Sequence, residues 1–214
     1  MSASTSTKRA LKRSVREVCS RTPIARLLTW HGSRARPQVA LTFDDGPDPE
    51  WTPRVLDILA GHGAVATFFL LGRNVDAHPA LVQRMADAGH EIGIHGYDHT
   101  PRDLPGQTEQ TRRLLDELSI RTDLFRPPGG ALVPSAQLWM ARQRIRTVMW
   151  SYDLHDSMRH EGKIDERAPL GTIGPGDIVL MHDDNPVCAA ELPELLAALV
   201  ERGLTPVTVS QLLS

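Results

Sequence analysis

Short apolar runs alternate with helical patterns from residue 38 to the end of the 214-residue chain. The apolar runs are rich in Val, Ile, Thr and Phe and cover residues 38–43, 65–71, 90–94, 122–126, 146–150, 177–181 and 205–209. The helical patterns between them cover residues 51–62, 76–89, 105–120, 133–143, 161–172 and 190–203. Continuous apolar runs are typical of strands that are covered on both faces. Their alternation with helices predicts an α/β fold with about seven parallel strands.

Polar residues cluster where five of the predicted strands end. These residues are Asp44 and Asp45, His95 and His99, Arg126, Asp153 and Asp156, and His182. In α/β barrels the carboxyl ends of several strands form the active site together, whereas an open sheet binds its ligand at one switch point. The convergence of polar strand ends therefore favours a deformed (β/α) barrel over an open sheet.

The first part of the chain differs in charge from the rest. Residues 1–36 contain nine Lys or Arg and one acidic residue, whereas residues 37–214 contain 15 basic and 25 acidic residues. This acidic balance argues against nucleic acid as a partner of the main domain, because phosphate backbones attract basic surfaces. Leu11, Val15 and Val18 recur at helical spacing in the basic arm. The arm is predicted to be disordered or to form an amphipathic helix on an anionic membrane, and its composition also fits a targeting peptide.

Two histidines and an acidic pair suggest a metal site. His95 and His99 lie four residues apart, and on a helical turn this spacing places both imidazoles on one face. Asp44 and Asp45 are adjacent, and since neighbouring side chains of an extended chain point opposite ways, one can bind metal while the other moves protons. Asp45 with the two histidines makes a set of two nitrogens and one carboxylate. That set suits a hydrolytic zinc ion, and it equally suits the Fe(II) of an oxygenase.

Two further polar residues suggest proton chemistry. Arg126 lies in the rigid sequence FRPPGG (125–130), where a fixed guanidinium can orient a carboxylate by bidentate hydrogen bonds. His182 ends the apolar run of DIVLMHD (177–183), where an imidazole can act as a general acid if a carboxylate holds its proton in place.

Taken in order, TFDDGP, EIGIHGYDH, FRPPGG, WSYDLHD and IVLMHD resemble the five motifs of the polysaccharide deacetylase family, also called the NodB homology domain. The resemblance covers about residues 37–213 and implies a deformed (β/α) barrel. It also implies a hydrolase in which a metal-bound water attacks the amide of an N-acetylated amino sugar. The implied cofactor is one divalent ion, zinc or a similar metal such as cobalt.

The resemblance also implies a role for each site residue. Asp45, His95 and His99 would hold the ion, Asp44 would be the base and Arg126 would orient it. His182 would be the acid, Asp156 its carboxylate partner, and Leu180 part of the apolar acetyl pocket. Gly129 and Trp150 are the further candidates for substrate binding, Gly129 through a nearby backbone N–H that would hold the oxyanion.

Three positions depart from the family pattern and bear on the substrate. Gly96 replaces the usual Ser or Thr, Gly129 a common aromatic residue, and Ser157 the usual Trp. The walls of the site are therefore less aromatic, which keeps open the deformylation or deacylation of a lipid-linked or other small N-acyl sugar. A non-catalytic sugar-binding relative is a remote alternative, because decay would remove the ligands and the base first.

Two features that the sequence lacks bear on where in the cell the protein is expected. It contains no secretory signal pattern and no apolar run of roughly 18 residues, the length of a membrane-spanning helix. We therefore expect a cytoplasmic protein, with peripheral membrane contact through the basic arm.

Overall fold

The computed structural model of the protein describes residues 28–214, and the predicted amphipathic stripe at Leu11, Val15 and Val18 lies outside them. Nine strands form one parallel sheet in this part of the chain: β1 (Leu28–Thr29), β2 (Gln38–Asp44), β3 (Thr67–Leu70), β4 (Glu91–Ile94), β5 (Leu124–Phe125), β6 (Arg146–Val148), β7 (Tyr152–Asp153), β8 (Ile178–His182) and β9 (Thr205–Val207).

The helices alternate with these strands. They are α1 (Trp51–Gly61), α2 (Gly72–Ala77), α3 (Pro79–Asp87), α4 (Leu104–Glu117), α5 (Pro134–Arg142), α6 (Asp156–His160), α7 (Pro186–Glu201) and α8 (Val209–Leu213), with 3₁₀ turns at Pro128–Gly130 and Leu170–Thr172. Between residues 28 and 214, none of the helices has the length and apolar character needed to cross a membrane.

The sheet is strongly curved and forms a deformed barrel. The strand order is β1-β6-β5-β4-β3-β2-β8-β7, with β9 paired to β2. Strands β6 and β7 stand near opposite edges of this order, yet only residues 149–151 connect them. Since the four Cα–Cα steps from Val148 to Tyr152 span at most about 14 Å, the two edges must lie close together. The predicted α/β barrel is thereby confirmed, and the two strands beyond the predicted seven, β1 and β7, have two residues each.

Side-chain alternation along the strands separates the core from the site. On β2, Val39, Leu41 and Phe43 belong to the large apolar cluster that includes residues of the helices, whereas Ala40 belongs to a smaller one. Thr42 and Asp44 follow Ala40 at a spacing of two, so they share its face of the strand. The inner face of β2 thus changes from apolar to polar toward the carboxyl end of the strand.

Three predicted boundaries differ from the structure. The strand Leu28–Thr29 pairs with β6, so the last residues of the predicted arm contribute to the sheet. The helix predicted at 76–89 begins instead at Pro79, in the N1 position, and residues 76–77 end the preceding helix α2. The helix predicted at 161–172 is absent, since Pro169 lacks a backbone N–H and Gly162 adopts a positive φ of 68°.

Candidate active site

A cleft of about 420 Å³ opens at the carboxyl ends of the strands. Eight of the ten predicted site residues line it: Asp44, Asp45, His95, His99, Gly129, Trp150, Leu180 and His182. The other two, Arg126 and Asp156, are fully buried and contact lining residues through hydrogen bonds. The structure thus brings all of the predicted site residues together.

The three predicted ligands present their donor atoms to one point. Nε2 of His95 and Nε2 of His99 each lie 3.5 Å from Oδ1 of Asp45. The three donor atoms lie within 4.8 Å of one another. The histidines converge although residues 95–99 form a loop rather than the predicted helical turn. A positive φ of 83° at Gly96 and of 60° at His99 bends this loop.

Asp44 and Asp45 both point toward His95, contrary to the expectation for an extended pair. Oδ2 of Asp44 lies 3.7 Å from Nε2 of His95, and Oδ1 of Asp45 lies 3.5 Å from the same nitrogen. The reason is the backbone of Asp45, whose φ of 74° breaks the alternation of the strand. Two carboxylates therefore reach the same site from consecutive positions.

His95 is held in the protonation state that a metal ligand requires. Its Nδ1 lies 2.9 Å from the carbonyl oxygen of Arg126 and donates a hydrogen bond to it, which leaves the Nε2 lone pair facing Asp45. Burial lowers the pKa of His95 and so favours the neutral imidazole. Metal-bound histidines commonly make such a contact through their other nitrogen.

Oδ1 of Asp45 shows that the site suits a cation. This atom is buried and has no hydrogen-bond partner within the described residues. An unpaired buried carboxylate oxygen is costly unless a cation or a donor meets it. With the Nε2 atoms of His95 and His99 beside it, the donor set is one that catalytic zinc sites use. The residues present therefore fit a divalent ion.

The Arg126 guanidinium donates a hydrogen bond to Asp44 and so fixes the orientation of its carboxylate. Its Nη1 donates to Oδ1 of Asp44 and to Oγ1 of Thr42, both at 2.8 Å. Its other nitrogens donate to the carbonyl oxygens of Val148 and Met149. The buried cation is thus paired and hydrogen-bonded, as a charge in the interior must be. The other carboxylate oxygen of Asp44, Oδ2, lies toward the cleft, 3.7 Å from Nε2 of His95.

Aromatic rings fix the guanidinium further. Its carbon lies 4.2 Å from the ring centre of Phe69 and 5.8 Å from that of Trp150. Trp150 lines the cleft, so one ring both contacts Arg126 and forms a wall. Leu180 lines the cleft as well and is almost fully buried.

His182 and Asp156 form a second proton-carrying pair. Nδ1 of His182 donates to Oδ1 of Asp156 at 3.0 Å, and the His182 backbone N–H donates to Oδ2 at 2.8 Å. Burial alone would lower the pKa of His182, but the hydrogen bond and charge of Asp156, with the charges of Asp44 and Asp45, raise it to about 10. His182 is therefore protonated at neutral pH and presents Nε2 to the cleft.

Asp156 stays ionised beside this histidine. Burial would raise the pKa of Asp156, but the hydrogen bond and charge of His182 and the hydrogen bond from Asn185 lower it below the ordinary value. Asp153, the other acidic residue of the motif, accepts instead from the backbone N–H of His155.

Three supporting residues were not found from the sequence. Thr42 lies two positions before Asp44 on the same strand face, a spacing that could have indicated it. Asn185 follows His182 by three residues, caps α7 and donates to Asp156 at 3.2 Å. Asn74 donates to the carbonyl oxygen of Asp45 at 2.7 Å, and no local pattern marks it.

Comparisons with known proteins point to one family. The family model described as polysaccharide deacetylase matches residues 31–148. A peptidoglycan-N-acetylglucosamine deacetylase of Bacillus cereus is 37% identical over 160 residues, which cover 72% of this chain and 58% of that relative. The chain thus spans little more than half the length of that relative. A second protein of the same name and organism is 34% identical over 199 residues, which cover 87% of this chain and 92% of the relative.

Solved structures share the fold. The crystal structure of the Bc1960 peptidoglycan N-acetylglucosamine deacetylase in complex with a naphthyl N-hydroxybenzamide matches with a TM-score of 0.78 and 31% identity, covering 87% of this chain and 92% of the other. A Bacillus anthracis protein described as a pseudoenzyme of the CE4 family matches with a TM-score of 0.77 and 26% identity, covering 87% and 69%.

Proposed function

Because the chain belongs to the polysaccharide deacetylase family, we propose that it is a metal-dependent hydrolase that removes the N-acetyl group from an amino sugar. The observation that carries the proposal is the buried Oδ1 of Asp45, which has no hydrogen-bond partner among residues 28–214 and lies 3.5 Å from the Nε2 atoms of His95 and His99. These residues support a cation site, and the polar groups around them support acid–base chemistry on an amide.

Asp45, His95 and His99 would hold the divalent ion, and zinc fits this donor set best. When bound, such an ion supplies Lewis-acid polarisation of a carbonyl and lowers the pKa of water. An oxygenase would use the same three ligands. However, the Asp44–Arg126 and His182–Asp156 pairs have no use in that chemistry, so the hydrolytic function is favoured.

Asp44 acts as the general base. Arg126, which also donates to Thr42, fixes Oδ1 of Asp44, while Oδ2 of Asp44 faces the ligand cluster, 3.7 Å from Nε2 of His95. The hydrogen bond from the guanidinium fixes the orientation of the carboxylate. A water that attacks the amide carbon beside Asp44 therefore meets an oriented proton acceptor, and such a group contributes about 10²–10⁴-fold to rate.

His182 acts as the general acid. Its Nδ1 is engaged by Asp156, so the remaining proton, on Nε2, faces the cleft. Protonation of the departing nitrogen lets the C–N bond break, and the products are acetate and a free amino sugar. Asp44 and His182 thus work in opposite protonation states, one accepting and one donating a proton.

The cleft walls support a small acyl group and an open sugar site. Leu180 offers an apolar surface for the acetyl methyl group, and Trp150 offers an aromatic edge. At Gly129 a Cβ atom would meet no atom within 4 Å, so this side of the cleft is open. The openness favours a small or carrier-linked N-acyl sugar as a second candidate substrate, including a lipid-linked one that carries a formyl group. A non-catalytic role is disfavoured because ligands, base and acid are all present.

Product analysis over a substrate panel tests the function. The panel contains chitin oligomers, peptidoglycan fragments, and nucleotide- and lipid-linked N-acyl sugars, each assayed for acetate and for formate. We expect release from at least one class, with loss on metal chelation and recovery on addition of zinc. Release that persists after complete chelation would contradict the proposal, and release of formate alone would favour the second candidate.

A further inference from the structure

The two loops that carry the metal ligands are joined by one short segment. Asp45 lies in the loop after β2, and His95 and His99 lie in the loop after β4. Leu71 and the first turn of α2, residues 72–74, are called here the clamp segment and lie between these loops. The clamp segment bonds to both loops through its own backbone and one side chain.

The backbone bonds of the clamp segment fix the carbonyl groups of both loops. The N–H of Leu71 donates to the carbonyl oxygen of Gly46 at 3.1 Å. The N–H groups of Gly72 and Arg73 donate to the carbonyl oxygens of Gly96 and Tyr97 at 3.0 and 3.1 Å. The first N–H groups of a helix have no partner within the helix, so those of α2 can donate hydrogen bonds to the carbonyl groups of neighbouring loops.

Gly72 allows this close approach. A Cβ atom at this position would lie 2.2 Å from Oγ1 of Thr111 and 2.5 Å from Cδ2 of Tyr97. Thr111 also donates to the carbonyl oxygen of Gly96 at 2.8 Å. The loop of the two histidines is therefore held from two sides, by the clamp segment and by α4.

Asn74 supplies the side-chain bond of the clamp segment. Its Nδ2 donates to the carbonyl oxygen of Asp45 at 2.7 Å. This carbonyl belongs to the residue whose φ of 74° turns its carboxylate toward His95. A positive φ is unfavourable for an Asp unless surrounding contacts hold it. Without the Asn74 bond the Asp45 backbone can relax toward the extended form, in which consecutive side chains point to opposite faces.

We propose that Asn74 is a positioning residue for the metal centre, acting through the backbone of Asp45 to keep its carboxylate on the same side as the two histidines. The proposal rests on the metal-dependent function proposed above. It assigns Asn74 no contact with metal or substrate. Supporting residues of this kind typically change metal affinity by about 10–100-fold when they are removed.

Zinc affinity measured by chelator competition tests the proposal. The wild type is compared with Asn74→Ala, with Asn74→Asp, which fills the same space but lacks the donor, and with Asp76→Ala, an exposed position on the same helix. We expect zinc dissociation constants about 10–100-fold higher for both Asn74 variants and unchanged for Asp76→Ala. The melting temperature of the metal-free proteins separates a general loss of fold from a loss of ligand placement.

A double-mutant cycle shows whether Asn74 acts through Asp45. In an Asp45→Ala background, Asn74→Ala should weaken zinc binding no further, because the ligand that it positions is gone. Equal zinc affinity in the wild type and the Asn74 variants would overturn the proposal, as would an equal additional loss in the Asp45→Ala background. A wild type that binds no zinc would instead remove the proposed metal function itself.

Discussion

Replacing Asp156 with Asn should move the alkaline limit of activity to lower pH. The amide keeps the size of the side chain but removes the charge that faces His182. In the wild type, the hydrogen bond and charge of Asp156 overcome the effect of burial and raise the pKa of His182 to about 10. The protonated histidine is the acid, so activity is present below this pKa and is lost as pH rises through it. A cation on Asp45 would offset that carboxylate's contribution but would leave the contribution of Asp156.

The size of the effect follows from the protonated fraction of His182. With pKa about 10, almost all of the histidine carries the acidic proton at pH 8. Without the charge of Asp156, burial lowers the pKa back toward the ordinary 6.5, opposed only by the charges of Asp44 and Asp45. A complete return to 6.5 would lower the protonated fraction at pH 8 by about 30-fold. The pH profile of kcat/KM for acetate release measures this change, and NMR titration of the His182 ring reports the pKa directly.

Asp153→Asn is the matched control, because Asp153 lines the same cleft and accepts only from the backbone N–H of His155 among the described hydrogen bonds. The alkaline limb of the pH profile of Asp153→Asn should lie at the same pH as that of the wild type. An unchanged limb in Asp156→Asn, or a limb that moves in Asp153→Asn instead, would refute the assignment of the pair.

Three other predictions test the base, the cleft and the arm. Asp44→Asn should keep the metal but lose turnover by about 10²–10⁴-fold, and normal turnover would remove Asp44 from the mechanism. Since Gly129 and Ser157 line the cleft where aromatic residues are usual, kcat/KM should not climb with chitin-oligomer length, and a steady climb would contradict this. If the basic arm binds lipid, the full chain should sediment with anionic vesicles at low salt while a chain that starts at Leu28 should not, and equal, negligible pelleting would leave the arm without this role.

Much of the fold could be predicted because its strands are buried on both faces. Continuous apolar runs such as 38–43 and 177–181 mark β2 and β8 closely. Strands β1 and β7 lie outside the predicted runs, and each has only two residues. The helix predicted at 161–172 from apolar spacing does not form, because Pro169 lacks a backbone N–H and Gly162 adopts a positive φ.

The site residues could be predicted, but their backbone conformation could not. Each polar residue stands at the end of an apolar run, and parallel strands bring such ends together. The left-handed conformation of Asp45 depends on contacts with residues far along the chain, among them Asn74. Local spacing therefore predicted that Asp44 and Asp45 diverge, whereas tertiary hydrogen bonds make them converge.

Metal content and acetate release measured together on His95→Ala test the central claim most directly. The matched control is His62→Ala, an exposed histidine at the end of α1. The wild type and His62→Ala should bind about one equivalent of zinc per chain and release acetate from an N-acetylated sugar, consistent with a single three-ligand site. His95→Ala should lose most of the metal and the activity together. A purified, folded His95→Ala protein that keeps a full equivalent of metal, or that releases acetate at the wild-type rate, would contradict the account.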